Sequence, residues 1–160
     1  MIRIIADSRE QTPYTFRGYP ATVTAGTLNA GDYSLYGFTD LVSVERKELG
    51  DLLGVLTHDR PRFCRELERL RGYQAAALVI EASLATIRAG AYRSRMQPDA
   101  AVQSLISIMA NYRLPVFFAE TRREGEGFCY DFLRHYHQHA AQRYKALGLD
   151  LSNNKGGTDE

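Results

Sequence analysis

Acidic residues and one lysine recur at the ends of predicted strands in the first third of the chain. In Glu45-Arg46-Lys47, strand alternation places Glu45 and Lys47 on one face and Arg46 on the other. If Asp32 comes from the adjacent strand, two carboxylates converge beside one ammonium group. Oxygen ligands of this kind bind Mg²⁺ or Mn²⁺, the cations that assist phosphodiester hydrolysis. The pattern favours a metal-dependent phosphodiesterase in which Lys47 orients the attacking water.

Each acidic group has a simpler interpretation when it is taken alone. Glu45 and Lys47 can form a solvated cross-strand ion pair, and Asp32 can be a turn residue after a glycine. In the earlier group, Asp7-Ser8-Arg9-Glu10, the acids can cap a helix or pair with Arg9. Their shared position at strand ends favours catalysis, because a three-stranded meander would bring them to one edge of a sheet.

The apolar pattern predicts the strands that position these groups. A β-branched run at 2–6 is typical of a buried strand, and a loop rich in proline and glycine follows at 11–20. Three short strands are predicted at 22–25, 32–36 and 41–44, and their close spacing favours antiparallel pairing. Two further buried strands are predicted at 75–80 and 114–119.

Helical spacing begins after the lysine. Leucines predict one helix from Leu49, and Pro61 can open the next, which ends near Gly72. A third helix is predicted after Asp99 as its cap, and a last one at about 127–147. Strands followed by alternating helices and strands indicate an α/β fold with a mixed central sheet flanked by helices. We expect one domain over residues 1–147 and a disordered tail at 148–160.

The composition is that of an ordinary globular domain. The 160 residues are 44% hydrophobic and 24% charged, with a formal net charge of +1. Cys64 and Cys129 lie far apart, which excludes a cysteine-based zinc module. No apolar run approaches the roughly 20 residues of a membrane helix, and the first residues lack the apolar core of a signal peptide. We therefore expect an intracellular protein without membrane association, in the cytoplasm or nucleoid if the source is bacterial or a phage.

The order and spacing of the charged groups resemble the XPF-type nuclease domain, which belongs to the PD-(D/E)xK, restriction-endonuclease-like group. Its signature is Gly-Asp, a variable spacer, Glu-Arg-Lys, three residues and Asp. Here the signature reads Gly31-Asp32, Glu45-Arg46-Lys47 and Asp51. The segment at 7–14 and the arginine-bearing segment at 59–70 also match the family. The resemblance covers the chain from about residue 2 to 137.

The resemblance implies a role for each matching residue. Asp32 and Glu45 would be the main metal ligands, with the backbone carbonyl of Arg46 completing the shell, and Lys47 would orient or activate the water. Asp7 would be a further metal ligand, near this Mg²⁺ or Mn²⁺ ion or near a second one. Supporting roles fall to the remaining matches: Arg9 and Glu10 in substrate placement and cleavage, Asp51 in holding Lys47 or Arg46, and Arg60 and Arg62 on the DNA backbone.

The resemblance also implies a partner and a substrate. The substrate would be DNA with a junction between single and double strands, such as a flap or a fork, as in DNA repair. Family members usually carry a tandem helix-hairpin-helix module after the nuclease domain, and residues 148–160 cannot form one. We therefore expect a stand-alone form in which a homodimer or a partner subunit holds branched DNA.

A pairing surface and two alternative functions follow. The helical stripe of Val102, Leu105, Ile106 and Met109 is a candidate pairing surface, although burial in the core is the favoured interpretation. One alternative function is a non-catalytic scaffold subunit on the same fold, which the intact acidic set argues against. The other is a compact nuclease without junction preference.

Overall fold

The computed structural model describes residues 1–149 and shows a mixed sheet between helical layers. The strands are β1 (Ile2–Asp7), β2 (Ala21–Gly26), β3 (Tyr33–Leu35), β4 (Val42–Glu48), β5 (Ala75–Glu81) and β6 (Val116–Phe118). The helices are α1 (Leu49–His58), α2 (Arg60–Arg71), α3 (Leu84–Arg88), α4 (Pro98–Tyr112) and α5 (Arg122–Ala146). The predicted α/β fold with a mixed central sheet is confirmed. No helix in this described part of the chain has the length and apolar character needed to cross a bilayer.

The sheet order β2-β1-β3-β4-β5-β6 explains how distant acids come together. β3 is antiparallel to both β1 and β4, whereas β5 and β6 continue in parallel from β4. The end of β1, the start of β3 and the end of β4 therefore meet at one edge of the sheet. One face of the sheet packs on α1, α2 and α4 around Leu78 and Ile80. The opposite face packs on α5 and an aromatic loop.

The direction of β2 corrects the prediction of antiparallel pairing. β2 runs parallel to β1, with Ile2 opposite Ala21 and Asp7 opposite Gly26. The intervening loop buries Tyr14 and Phe16 in the core on the α5 side of the sheet. Because those rings carry the chain back across the sheet face, β2 begins beside the first residue of β1 rather than beside its last.

β4 is longer than predicted, and this places the Glu-Arg-Lys sequence inside the strand rather than after it. β5 pairs with β4 as far as Glu48, with Glu45 opposite Leu78 and Lys47 opposite Ile80. The predicted alternation is confirmed, since Glu45 and Lys47 share the face of α1 and α2 while Arg46 points to the other face.

α1 begins at Leu49, as predicted, whereas the last two helices begin at other residues than predicted. α5 starts at Arg122, where the Thr121 hydroxyl accepts the Glu124 N–H at 3.1 Å. α4 starts at Pro98, so Asp99 lies in its first turn and is not its cap. The short α3 carried no periodic signal and was not predicted. The predicted tail lies almost entirely outside the described residues.

The helical stripe that was a candidate pairing surface is partly buried and partly exposed. Leu105 is buried in the core, as the favoured interpretation requires, whereas Ile106 and Met109 are 46% and 36% exposed. The outer side of α4 thus keeps two large apolar side chains in contact with solvent.

Candidate active site

A cleft of about 1020 Å³ lies where the sheet edge meets α1 and α2. It is lined by all three acidic groups, which are separated by up to 44 positions in the chain, together with residues from the two helices. The lining includes Asp7, Arg9, Glu10, Asp32, Glu45, Arg46, Lys47, Asp51 and Arg62. The sheet topology therefore brings together nine of the ten predicted site residues.

Asp32 owes its place to the glycine before it. Gly31 has φ +77°, and a Cβ on it would lie 2.0 Å from Ser43 Oγ. Only glycine allows the chain to pass this close to β4 in a left-handed conformation. The Asp32 N–H then donates to Val44 O at 2.9 Å, and Asp32 Oδ2 accepts the Arg46 N–H at 2.7 Å. The carboxylate is thereby fixed beside the Glu-Arg-Lys strand.

Glu45 and Lys47 form a buried ion pair on the floor of the cleft. Glu45 is 1% exposed, and its Oε1 accepts from the Lys47 ammonium. The second oxygen, Glu45 Oε2, is buried and has no hydrogen-bond partner among residues 1–149. Lys47 also lies 3.9 Å from Glu66 Oε2 on α2. The alternative of a solvated pair does not apply, because both side chains are largely withdrawn from water.

Burial disfavours the ionised form of both carboxylates, Asp32 and Glu45. Burial raises the pKa of Asp32 to about 6. Burial also raises the pKa of Glu45 well above its usual range, and the neighbouring charge of Asp32 adds to this shift. Burial opposes the charge of Lys47, yet the carboxylates of Glu45 and Glu66 raise its pKa overall. Two buried carboxylates that resist joint ionisation are stabilised by a bound cation.

Arg46 is held from three sides on the opposite face of the sheet. Its Nε and Nη2 donate to Glu81 at 2.7 and 2.8 Å, and Nη2 also donates to Glu48 at 2.6 Å. Glu10 lies 3.5 Å from Nη1. Tyr14 adds a hydrogen bond of 2.8 Å to Glu81. The side chain of Arg46 thus supports the end of β4 through its ion pairs, and Arg46 also belongs to the lining of the cleft.

Asp7 makes the pair with Arg9 that was the simpler alternative in the sequence. Both oxygens of Asp7 accept from the Arg9 guanidinium at 2.8 Å. This pairing holds the pKa of Asp7 at about 2. Glu10 Oε1 accepts the Thr12 N–H at 2.9 Å, which shapes the turn after β1.

The remaining predicted residues differ in their placement. Asp51 lines the cleft, but the side-chain hydrogen bonds and ion pairs of Lys47 and Arg46 within residues 1–149 go to other residues, so the predicted support is not seen. Arg62 lines the cleft, whereas Arg60 lies outside its lining.

Sequence reasoning missed Glu66 and Glu81. Glu81 ends an apolar strand, the same signal that identified Glu45, and could have been found. Glu66 carries no such signal, because its approach to Lys47 depends on how α2 packs against the sheet.

The donor set fits a divalent cation, although residues 1–149 contain no ready-made cluster of three metal-binding side chains. Glu45 Oε2, which lacks a partner in the described part of the chain, and the nearby Asp32 carboxylate supply oxygens of the kind that Mg²⁺ and Mn²⁺ prefer. Such ions complete their coordination with water, backbone carbonyl or phosphate oxygens. Two protein carboxylates are therefore sufficient.

The sequence profile of the ERCC4 domain matches residues 6–132, a span that contains every acidic group of the cleft. The chain belongs to the ERCC4 domain family. The resemblance to XPF-type nucleases is thereby confirmed at the level of the family. In this ERCC4 domain, the matched residues extend from the end of β1 into α5.

Known proteins similar to this ERCC4 domain include one curated sequence from Methanocaldococcus jannaschii. It bears the name "Putative ATP-dependent RNA helicase MJ1505" and is 28% identical over 123 residues, which cover 77% of this chain. The chain spans 14% of the length of that relative.

Two solved structures of XPF from Aeropyrum pernix have the same fold. The first matches with a TM-score of 0.66 and 20% identity, covering 84% of this chain and 61% of the other. The second, a complex with DNA, matches with a TM-score of 0.66 and 19% identity, covering 86% and 66%. This chain therefore spans less than two thirds of those chains. The likeness in fold confirms the predicted restriction-endonuclease-like architecture.

Proposed function

We propose that this ERCC4 domain is a DNA endonuclease that hydrolyses phosphodiester bonds with a divalent cation, Mg²⁺ or Mn²⁺. The observation that carries the proposal is Glu45 Oε2, buried beside Asp32 and Lys47 and without a hydrogen-bond partner among the described residues. An isolated buried carboxylate oxygen is costly unless a ligand compensates it. A divalent cation in the cleft is that ligand.

Asp32 and Glu45 would hold the cation, with the backbone carbonyl of Arg46 as a third oxygen. When bound, the cation supplies a water of lowered pKa and positive charge beside the phosphate. The hydrogen bond from the Arg46 N–H fixes one oxygen of Asp32 and leaves the other for binding. The ion pairs of Arg46 on the opposite face keep this strand in place.

In this proposal Lys47 orients the attacking water and the scissile phosphate. Its ammonium lies between Glu45 and Glu66 at the floor of the cleft. If Glu45 binds a cation, Glu66 on α2 remains as an ion-pair partner for the Lys47 ammonium. Hydrolysis adds one water across a P–O bond, leaving a phosphate monoester on one fragment and a hydroxyl group on the other.

DNA is the substrate class, and we extend the proposal to junctions between single and double strands. The family assignment and the similar Aeropyrum pernix complex with DNA support this choice. A flap or fork would place this ERCC4 domain in DNA repair inside the cell. A second copy of the chain or a partner subunit is proposed to hold the second arm of such a junction.

The test is a cleavage assay with end-labelled single strand, duplex, 3′ flap and fork. Each substrate is incubated with Mg²⁺, Mn²⁺ or EDTA, and wild type is compared with Asp32→Ala, Glu45→Gln and Lys47→Ala. Glu68→Gln on the outer side of α2 is the matched control, because this carboxylate is 58% exposed and outside the cleft. We expect metal-dependent cutting that disappears in the three site variants and persists in the control.

Each other outcome decides against part of the proposal. A folded wild-type protein that cuts none of the substrates with either metal contradicts the enzyme and favours a scaffold subunit. Equal rates on duplex, flap and fork contradict the junction preference and favour a compact nuclease without it. Unchanged cutting by Lys47→Ala contradicts the role of the lysine alone.

A further inference from the structure

Asp7 lies in the cleft, but all of its acceptor capacity is already in use. Oδ1 accepts the Arg9 N–H and Arg9 Nε, both at 2.8 Å. Oδ2 accepts Arg9 Nη2 and the Leu28 N–H, also both at 2.8 Å. An ionised carboxylate offers about four lone-pair positions, and four N–H donors fill them here. The side chain is 3% exposed, so water does not compete for these positions.

The other two carboxylates of the cleft contrast with Asp7. Asp32 accepts one hydrogen bond from within residues 1–149, at Oδ2, and Glu45 Oε2 accepts none. A cation entering the cleft finds free oxygen lone pairs on these two residues. To bind Asp7 as well, it would have to displace charge-assisted hydrogen bonds from a guanidinium, which are the strong ones.

What Asp7 does instead is hold Arg9. The Arg9 side chain is 70% exposed, yet its Nε and Nη2 are tied down by Asp7, and Nη2 also donates to Leu28 O at 2.7 Å. Nη1, by contrast, has no hydrogen-bond partner in the described part of the chain. A guanidinium fixed along one edge presents its remaining N–H groups in a set direction, which suits a phosphate.

The two cations of β4 in the cleft lining, Arg46 and Lys47, are already engaged. Arg46 is held by Glu81 and Glu48, and Lys47 lies between Glu45 and Glu66. Arg9 therefore has N–H donors to spare next to the acidic pair, and its charge is felt there, since Asp32 raises the pKa of Arg9 together with Asp7.

We infer that Asp7 is a positioning residue that aims Arg9 at a phosphate of the DNA backbone, and that it is not a metal ligand. The inference rests on the proposed function for its substrate, and it departs from the ligand role that the family resemblance implied for Asp7. The turn after β1 and the segment before Asp32 are joined through this pair, because Leu28 contacts both residues. The phosphate held by Arg9 would thus be set at a fixed distance from the acidic pair.

The experiment measures metal binding and DNA binding separately. Mn²⁺ affinity is measured by titration calorimetry for wild type, Asp7→Asn, Asp32→Asn and Glu45→Gln. Affinity for fork DNA is measured in EDTA, where no cutting occurs, for wild type, Asp7→Asn, Arg9→Ala and the double variant. Arg17→Ala is the matched control, because Arg17 is exposed and lies outside the cleft.

Asp7→Asn should keep its Mn²⁺ affinity within about twofold, while Asp32→Asn and Glu45→Gln lose about tenfold or more. Asp7→Asn and Arg9→Ala should each weaken DNA binding by about tenfold more than Arg17→Ala does. The double variant should bind DNA no more weakly than Arg9→Ala, because Asp7 acts through Arg9.

A loss of Mn²⁺ affinity in Asp7→Asn as large as that in Asp32→Asn overturns the inference, and so do additive losses of DNA affinity in the double variant. If Asp7→Asn does not fold, Arg9→Ala decides: DNA binding no weaker than that of Arg17→Ala overturns the inference. If the wild type binds no Mn²⁺ and cuts no DNA, the proposed function fails. The DNA affinities then still show whether Asp7 acts through Arg9.

Discussion

Glu81 at the end of β5 holds Arg46 of the adjacent strand by two hydrogen bonds of 2.7 and 2.8 Å. The carboxyl pKa of Glu81 is lowered because the hydrogen bonds from Arg46 and Tyr14 outweigh the effect of burial. The backbone N–H of Arg46 meanwhile donates to Asp32. Arg46 thus connects its ion pair with Glu81 to Asp32, a carboxylate of the candidate active site.

Removal of Glu81 should therefore affect stability and activity together. Glu81→Ala leaves a buried guanidinium short of its main partner, and we expect a loss of about 3 kcal/mol in the free energy of unfolding. Glu81→Gln keeps one acceptor for Arg46 and should lose about half as much. Urea unfolding measures both values, and the cleavage rate at saturating DNA should fall in the same order.

Glu68→Ala provides the comparison, since Glu68 pairs with Arg71 at 3.7 Å on the surface of α2. Exposed pairs of this kind contribute less than about 1 kcal/mol. A loss in Glu81→Ala no larger than that in Glu68→Ala would show that the Arg46 pair does not stabilise the fold.

Gly31 offers a test of how tightly Asp32 is positioned. Gly31→Ala meets both a left-handed backbone at φ +77° and a contact of 2.0 Å with Ser43 Oγ, and should destabilise the protein by about 3 kcal/mol. Gly37→Ala has nearly the same backbone strain, at φ +80°, but meets nothing within 4 Å, and should lose about 1 kcal/mol. Thermal or urea unfolding of both variants measures the difference, and equal losses would contradict close packing at Gly31.

The convergence of the acids could be predicted from sequence because it depends on local patterns. Apolar runs located the strands, alternation separated Arg46 from Glu45 and Lys47, and an antiparallel turn brought Asp32 beside them. The direction of β2 could not be predicted in this way. It depends on Tyr14 and Phe16, whose burial across the sheet returns the chain to the start of β1.

The sequence also could not predict which carboxylate oxygens accept hydrogen bonds from within the protein. Asp7 and Asp32 both follow the pattern of an acid at a strand end. Asp7 is saturated because the turn after β1 folds Arg9 back onto it, while Asp32 meets only a backbone N–H. The contact of Glu66 with Lys47 arises from the packing of α2, which no local pattern encodes.

The Asp7–Arg9 pair should make stability depend on acid pH. The pKa of Asp7 is lowered from 3.8 to about 2, chiefly by its hydrogen bonds with Arg9. A carboxyl group whose pKa is lowered in the folded state stabilises the fold fully when the pH is above its pKa in the unfolded chain. This contribution disappears as the pH falls toward 2. It amounts to about 2 kcal/mol. The difference in unfolding free energy between wild type and Asp7→Asn should therefore shrink between pH 5 and pH 2, and a constant difference would contradict the pairing.

Arg60 and Arg62 were both expected on the DNA backbone, but the structure separates them. Arg62 lines the cleft with a 70% exposed side chain, whereas Arg60 lies outside the lining. Each phosphate contact contributes about 0.9 to the slope of log affinity against log salt concentration for duplex DNA. Arg62→Ala should lower the slope by about 1 and weaken binding several-fold, while Arg60→Ala leaves both nearly unchanged. Fluorescence anisotropy with labelled fork DNA in EDTA, between about 50 and 200 mM salt, gives the slopes. Equal effects of the two variants would show that DNA crosses the start of α2 rather than the cleft that holds Asp32 and Glu45.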